Sequence, residues 1–193
     1  MSAISALSPS NPALLVTTGP ESAGKTTLAR DLARHLHWPL VSEQSRPYLN
    51  ELYLRQPAGS YTQADLLAIA RQQWQTEQRL LTEGHGQLVC DTDLLVILVW
   101  SEVKYGYCEA ALLELFERSL QVPRHYLLCA PDIPWEEDPL RESPHDRAAL
   151  LQRYIDKLCN LGLSWQLLQG DPQQRLHQAL EALPHALPVT PQA

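Results

Sequence analysis

Eight residues, Gly19-Pro-Glu-Ser-Ala-Gly24-Lys25-Thr26, repeat the spacing G-x-x-x-x-G-K-[ST] at every fixed position. Glycines at the two ends let the backbone curl so that successive N–H groups point inward. Such a nest attracts anionic oxygens, and the positive end of a following helix strengthens the attraction. A lysine at the seventh place brings a mobile positive charge to β- and γ-phosphates, and a threonine at the eighth places a hydroxyl on Mg²⁺. Gly19, Pro20, Glu21, Ser22, Ala23, Gly24, Lys25, Thr26 and Thr27 therefore form the candidate cradle for a nucleoside triphosphate, with Mg²⁺ as its companion ion.

Such a cradle requires an acid on another buried strand. Leu88-Val-Cys-Asp91 has the form of one, three apolar residues followed by a carboxylate where ligands of α/β sheets bind. Asp91 is the expected Mg²⁺ partner of Thr26. Asp93 would point the same way if extension continued. Ser42-Glu43-Gln-Ser-Arg46-Pro-Tyr48 follows another apolar run. There Glu43 could accept a proton from an acceptor hydroxyl, and Arg46 could orient it or bind an oxyanion. Pro131 to Arg147 is too long and too charged for a plain connector and has the character of a lid. Arg141 and Arg147 are its candidates for stabilising charge on a transferred phosphoryl group.

These residues must be held by regular elements. Short apolar runs alternate with helical patterns, which predicts an α/β fold with a parallel sheet. Strands are expected at 13–18, 39–42, 87–91, 125–129 and 165–168. Helices are expected at 25–36, 63–82, 110–120, 144–160 and 172–183. Thr62 with Asp65 reads as a capping box, Gly84 and Gly86 as helix stops, and Asp171 before Pro172 as an N-cap. Leu94–Val99 is strand-like in composition but follows Asp91 too closely for a new strand, so it reads as the start of a buried helix. Residues 1–12 and 185–193 read as Pro/Ser/Ala-rich tails around one domain spanning 13–184.

The 193 residues are 45% hydrophobic, enough for a sizeable core. Twelve arginines and three lysines oppose 22 acids, a net charge of −7 that argues against a nucleic-acid backbone as partner. Four cysteines without a Cys-x-x-Cys pair read as reduced thiols, and no apolar run is long enough to span a bilayer. A cytoplasmic protein is expected, with a homo-oligomer left open. No N-K-x-D is present to read guanine. AAA-type machines call for more chain after the second motif, whereas small-molecule kinases fit this length.

The ordered set Gly19–Thr26, Glu43–Tyr48, Asp91-Thr-Asp93, Trp100-Ser-Glu-Val-Lys-Tyr-Gly106 and Pro-Trp135-Glu-Glu-Asp-Pro-Leu-Arg141 resembles the ribosylnicotinamide kinase domain of the NadR-like proteins over about residues 14–183. The resemblance implies a P-loop NTPase fold with a five-stranded parallel sheet sandwiched by helices, a lid, and phosphorylation of the 5′-hydroxyl of nicotinamide riboside by ATP to give nicotinamide mononucleotide. Larger family members add a nucleotidyltransferase domain, and some a DNA-binding segment; the dozen residues before the first strand are expected to leave room for neither. Glu43 and Asp91 compete as general base, with Glu43 preferred. Asp93 is the candidate for ribose hydroxyls, and Trp100, Tyr105 or Tyr48 for stacking on a pyridinium ring. The turn at Gly170 and Asp171 is where adenine would rest. Another nucleoside or nucleotide acceptor, and an ATP-hydrolysing regulatory module, are the rival readings.

Overall fold

A computed structural model of the chain describes residues 13–138, 140 and 146–183. Five strands, β1 (Leu14–Thr18), β2 (Leu40–Val41), β3 (Leu88–Asp91), β4 (Arg124–Cys129) and β5 (Ser164–Leu168), form one sheet in the order β2-β3-β1-β4-β5. Every pairing is parallel. The helices are α1 (Lys25–Leu36), α2 (Ser45–Tyr53), α3 (Gln63–Thr82), α4 (Leu94–Tyr105), α5 (Ala110–Ser119), α6 (Arg147–Asn160) and α7 (Pro172–Ala182).

Side chains of a strand alternate between faces, and both faces of the inner strands β1 and β3 are covered, so these read as nearly unbroken buried runs. Leu88, Cys90, Tyr126 and Leu128 join a core with α3, α4, α5 and α6. Their neighbours Val89, Leu127 and Cys129 face the other way and pack with Leu28, Leu32 and Ala179 of α1 and α7. β1 is central. The chain leaves it towards β3 on one side and returns to β4 on the other, which opens a crevice at the carboxyl ends of the strands.

The capping box of Thr62 and Asp65 opens α3 as expected, and Asp171 caps α7 with Gln174 reaching back. Leu94–Val99 does open a helix, buried on all sides through its first two turns because α4 is apolar around its whole circumference there. The sequence signal left out α2, whose Pro47 looks like a breaker. At the third helical position it is harmless, since a first-turn N–H has no intrahelical partner anyway. α6 begins at Arg147, three residues beyond the expected start at Pro144, with Asp146 at its N-cap. Residues 1–12, 139, 141–145 and 184–193, and with them Arg141, lie outside the described residues.

Candidate active site

The loop between β1 and α1 has left-handed backbone at Ser22 (φ 49°) and Gly24 (φ 73°), and Gly19 sits at φ 130°. Only glycine serves at position 19: a Cβ there would stand 2.6 Å from the carbonyl oxygen of Cys129. The loop thus presses against β4 while its N–H groups curl over the start of α1. The Lys25 ammonium donates to the carbonyl of Pro20 across the loop at 2.6 Å.

This loop forms one wall of a cleft of about 410 Å³. All of its residues from Gly19 to Thr27 except Pro20 line it, with Glu43 and Arg46 opposite, and Trp100 and Gly170 also reach it. Pro20 lines a second cavity of about 140 Å³, together with Glu21, Tyr61, Trp100, Lys104 and Tyr154. The two cavities share Glu21 and Trp100.

Asp91 ends β3 beside Thr17 of β1, and only 4% of it is exposed. Burial pushes its carboxyl above the usual range; a hydrogen bond with Thr26 pulls the other way, and nearby Glu43 raises it further. One oxygen, Oδ1, has no hydrogen-bond partner. A buried carboxylate with an oxygen that has no hydrogen-bond partner, near the loop threonine, is a donor set suited to a hard cation such as Mg²⁺. Glu43 accepts from the Ser45 hydroxyl at 2.5 Å.

Asp93 is a correction. Thr92 turns left-handed (φ 66°), so extension stops and Asp93 swings to the opposite face of the sheet. There it caps α4 by accepting from Leu95 N–H (3.0 Å), and its other oxygen accepts from Arg124 (2.7 Å) and Tyr126 (2.8 Å). At 1% exposure this carboxylate is occupied and walled off from any ribose. Beside it lies Glu77, wholly buried with no hydrogen bond to either oxygen and 3.7 Å from the same arginine. Burial lifts the Glu77 carboxyl to about 8, Arg124 works against that, and Asp93 adds to it.

Other expected residues are also redirected. The Tyr48 hydroxyl donates to Asp65 (2.7 Å) and is pushed up to about 12 by burial and that bond. The Tyr105 hydroxyl donates to Tyr61 O (2.5 Å). Neither ring lines the cleft. Arg46 pairs with Asp138 of the lid at 2.8 Å instead of orienting Glu43. Arg147 donates to the carbonyls of Ser22 (3.3 Å) and Ile133 (3.0 Å) and lies over Trp135, so it ties the lid to the phosphate loop. The Ser22 hydroxyl bonds both the N–H and the carbonyl of Glu136, a second tie. Gly170 borders the cleft, but its N–H donates to Asp132 and its carbonyl accepts from Arg175. Asp171 is spent on capping α7: its carboxylate accepts from Gln174 N–H and its own N–H donates to the Gln174 side chain.

Two buried residues carry no signal in the sequence. Arg175, 2% exposed, donates to the carbonyls of Ala23, Gly170 and Ala130 and pairs with Asp132, joining the phosphate loop to the segments after β4 and β5. Gln73 of α3, equally buried, bonds both loops that carry the acids. Each lies inside an ordinary amphipathic helix with no motif around it.

A family model described as an AAA domain matches residues 14–175. No curated protein matches the chain. Among solved structures, NadR protein in complex with NAD and AMP-PNP is similar at 21% identity, TM-score 0.65, covering 89% of this chain and 48% of that one. NadR in complex with NR gives 22% and 0.64, covering 89% and 49%. Thymidylate kinase from Ehrlichia chaffeensis gives 11% and 0.64, covering 89% and 98%. The chain thus spans about half the length of the NadR chains it matches, and its fold is that of the P-loop nucleoside and nucleotide kinases. Among the described residues, no helix is long and apolar enough to cross a membrane.

Proposed function

The chain belongs to the AAA-domain family, and from the residues lining its phosphate-loop cleft we propose that it is an ATP-dependent small-molecule kinase whose acceptor is a nucleoside, nicotinamide riboside first among the candidates. The observation that carries this reading is the position of Glu43. It lines one cleft with Lys25 and Thr26, beside an aromatic-walled cavity that shares Trp100 with that cleft. A carboxylate there is suited to taking the proton of an acceptor hydroxyl, while the cavity suits the flat base of that acceptor.

The curled N–H groups and Lys25, released from the Pro20 carbonyl, would hold the β- and γ-phosphates. Thr26 and Asp91 are the residues that would hold Mg²⁺, which supplies neutralising charge to the phosphates when bound. Glu43 takes the proton as the 5′-oxygen bonds to the γ-phosphorus, and the bond to the β-phosphate oxygen breaks to leave ADP. Nicotinamide mononucleotide for NAD salvage would be the product. Ties from Ser22 and Arg147 hold the lid over the loop, excluding water that would otherwise compete as acceptor. Arg141 is proposed to add charge stabilisation from the lid.

Trp100 and Glu21 are the groups we assign to a cationic base; one face of Tyr61 is already covered by the Lys104 ammonium, 3.3 Å from the ring centroid. A nucleotide acceptor would need a cation for its own phosphate; Arg46 is engaged by Asp138, whereas Arg30 also lines the cleft.

The family match favours one second reading, an ATP-hydrolysing regulatory module. ADP release measured over a nucleoside panel separates the two. The kinase reading expects ADP release that depends on an acceptor and is fastest with nicotinamide riboside. ADP appearing equally with and without any acceptor would replace it by the hydrolytic module.

A further inference from the structure

Glu43 and Asp91 come from different loops, one after β2 and one at the end of β3, and β2 is an edge strand of only two residues. Backbone pairing by so short a strand is a weak constraint on the loop that follows it. A single side chain from a third element spans the gap. The Gln73 carbonyl oxygen accepts from the N–H of Gln44, next to Glu43, at 3.2 Å. Its amide nitrogen donates to the carbonyl of Thr92, next to Asp91, at the same length. Gln73 is 2% exposed and Thr92 4%, so water is not at hand to replace the bond between them, while the bond to Gln44 is part-buried.

Thr92 is the residue whose left-handed backbone ends the strand and separates Asp91 from Asp93. A β-branched residue does not favour that conformation, and it persists only where its surroundings hold it. Two hydrogen bonds hold it here: its N–H donates to Thr17 O at 3.0 Å, and its carbonyl accepts from Gln73. The first belongs to the sheet. The second leads directly to the Glu43 loop.

We propose that Gln73 is a positioning residue: its buried amide sets the placement of Glu43 relative to Asp91, and so of the acceptor hydroxyl relative to the bound phosphates. Catalysis of this kind rests on geometry, and a displacement near 1 Å at a reacting group costs up to about a hundredfold in rate. The rate effect rests on the kinase reading; the geometric claim does not.

Gln73→Met keeps the length and removes both hydrogen bonds. Gln73→Asn keeps the amide but, one methylene shorter, cannot reach both loops. Ile69→Val, one turn earlier on the same buried face, is the packing control. For each variant, thermal unfolding, ATP affinity with and without Mg²⁺, and kcat and KM for the best nucleoside acceptor are measured. Both Gln73 variants are expected to lose about 10- to 100-fold in kcat. Metal-free ATP affinity should stay within about threefold, because Gln73 does not touch the phosphate loop, and KM should change less than kcat. A kcat within about twofold of the parent in either folded variant overturns the proposal. So does an equal kcat loss in Ile69→Val at matched folded fraction. If the parent phosphorylates no acceptor, the kinase reading fails. Gln73 is then judged by the metal: Mg²⁺ should tighten ATP binding in the parent and not in Gln73→Met. Retained tightening in Gln73→Met, or none in the parent, overturns the proposal.

Discussion

Arg46, which lines the cleft, and Asp138, 92 residues further along the chain, meet at 2.8 Å. One sits at the start of α2, three residues after Glu43, the other in the segment between β4 and α6, so their contact joins these two segments. Asp138 is itself braced, since its other oxygen accepts from Leu140 N–H at 2.9 Å.

A half-exposed ion pair of this kind contributes up to about 1 kcal/mol of stability and is weakened by salt. Arg46→Ala and Asp138→Asn should therefore leave the unfolding midpoint almost unchanged while raising acceptor KM by about three- to tenfold. The charge-swapped pair Arg46→Asp with Asp138→Arg should recover part of the loss. A double-mutant cycle on KM that shows no coupling would remove the latch.

Glu43→Gln keeps shape and the bond from Ser45 but cannot take a proton. Turnover should fall by about a hundredfold or more with ATP affinity preserved. Unchanged turnover would transfer the general-base role away from this residue.

Glu77 makes stability depend on pH. An unfolded glutamate releases its proton near 4.5, whereas burial keeps Glu77 protonated up to about 8. The folded state therefore binds the extra proton, and stability contributed by the neutral carboxyl is lost as pH rises between those two values. Glu77→Gln copies the neutral form. Denaturant unfolding should find it close to the parent at pH 5 and more stable than the parent at pH 8.5 by at least about 1 kcal/mol. Parallel pH profiles for the two proteins would contradict this.

Much of the scaffold was readable in one dimension because its signals are local. The spacing of Gly19, Gly24, Lys25 and Thr26 specifies a loop within a single turn of chain, and Thr62 with Asp65 marks a helix start three residues apart. The runs for β1 and β3 came out nearly in full, since strands buried on both faces carry few polar interruptions, and β4 and β5 came out from their apolar residues Tyr126 to Cys129 and Trp165, Leu167 and Leu168. The long charged segment around Trp135 stands apart from a plain connector by composition alone, and the structure ties it to the phosphate loop through Ser22 and Arg147.

Failures share a cause as well. Asp93 lies two residues from Asp91, and alternation would put both on one face; the left-handed turn at Thr92 rests on Thr17 and Gln73, contacts from distant parts of the chain. Tyr48 and Tyr105 are aromatic and near the motifs, yet their hydroxyls are claimed by Asp65 and Tyr61. Composition cannot reveal which of several plausible partners a side chain will find.

By itself, then, the sequence determined a phosphate-binding loop, an acid-ended strand and a parallel α/β order, because each is encoded by residues within one element of each other. Only tertiary structure decided that Arg46 closes on Asp138, that Asp93 serves Arg124 and Tyr126 behind the sheet, and that Gln73 and Arg175 brace the loops around the cleft. Those choices depend on which polar groups are enclosed together, where a donor or acceptor left without a partner is costly, and enclosure exists only once the chain has folded.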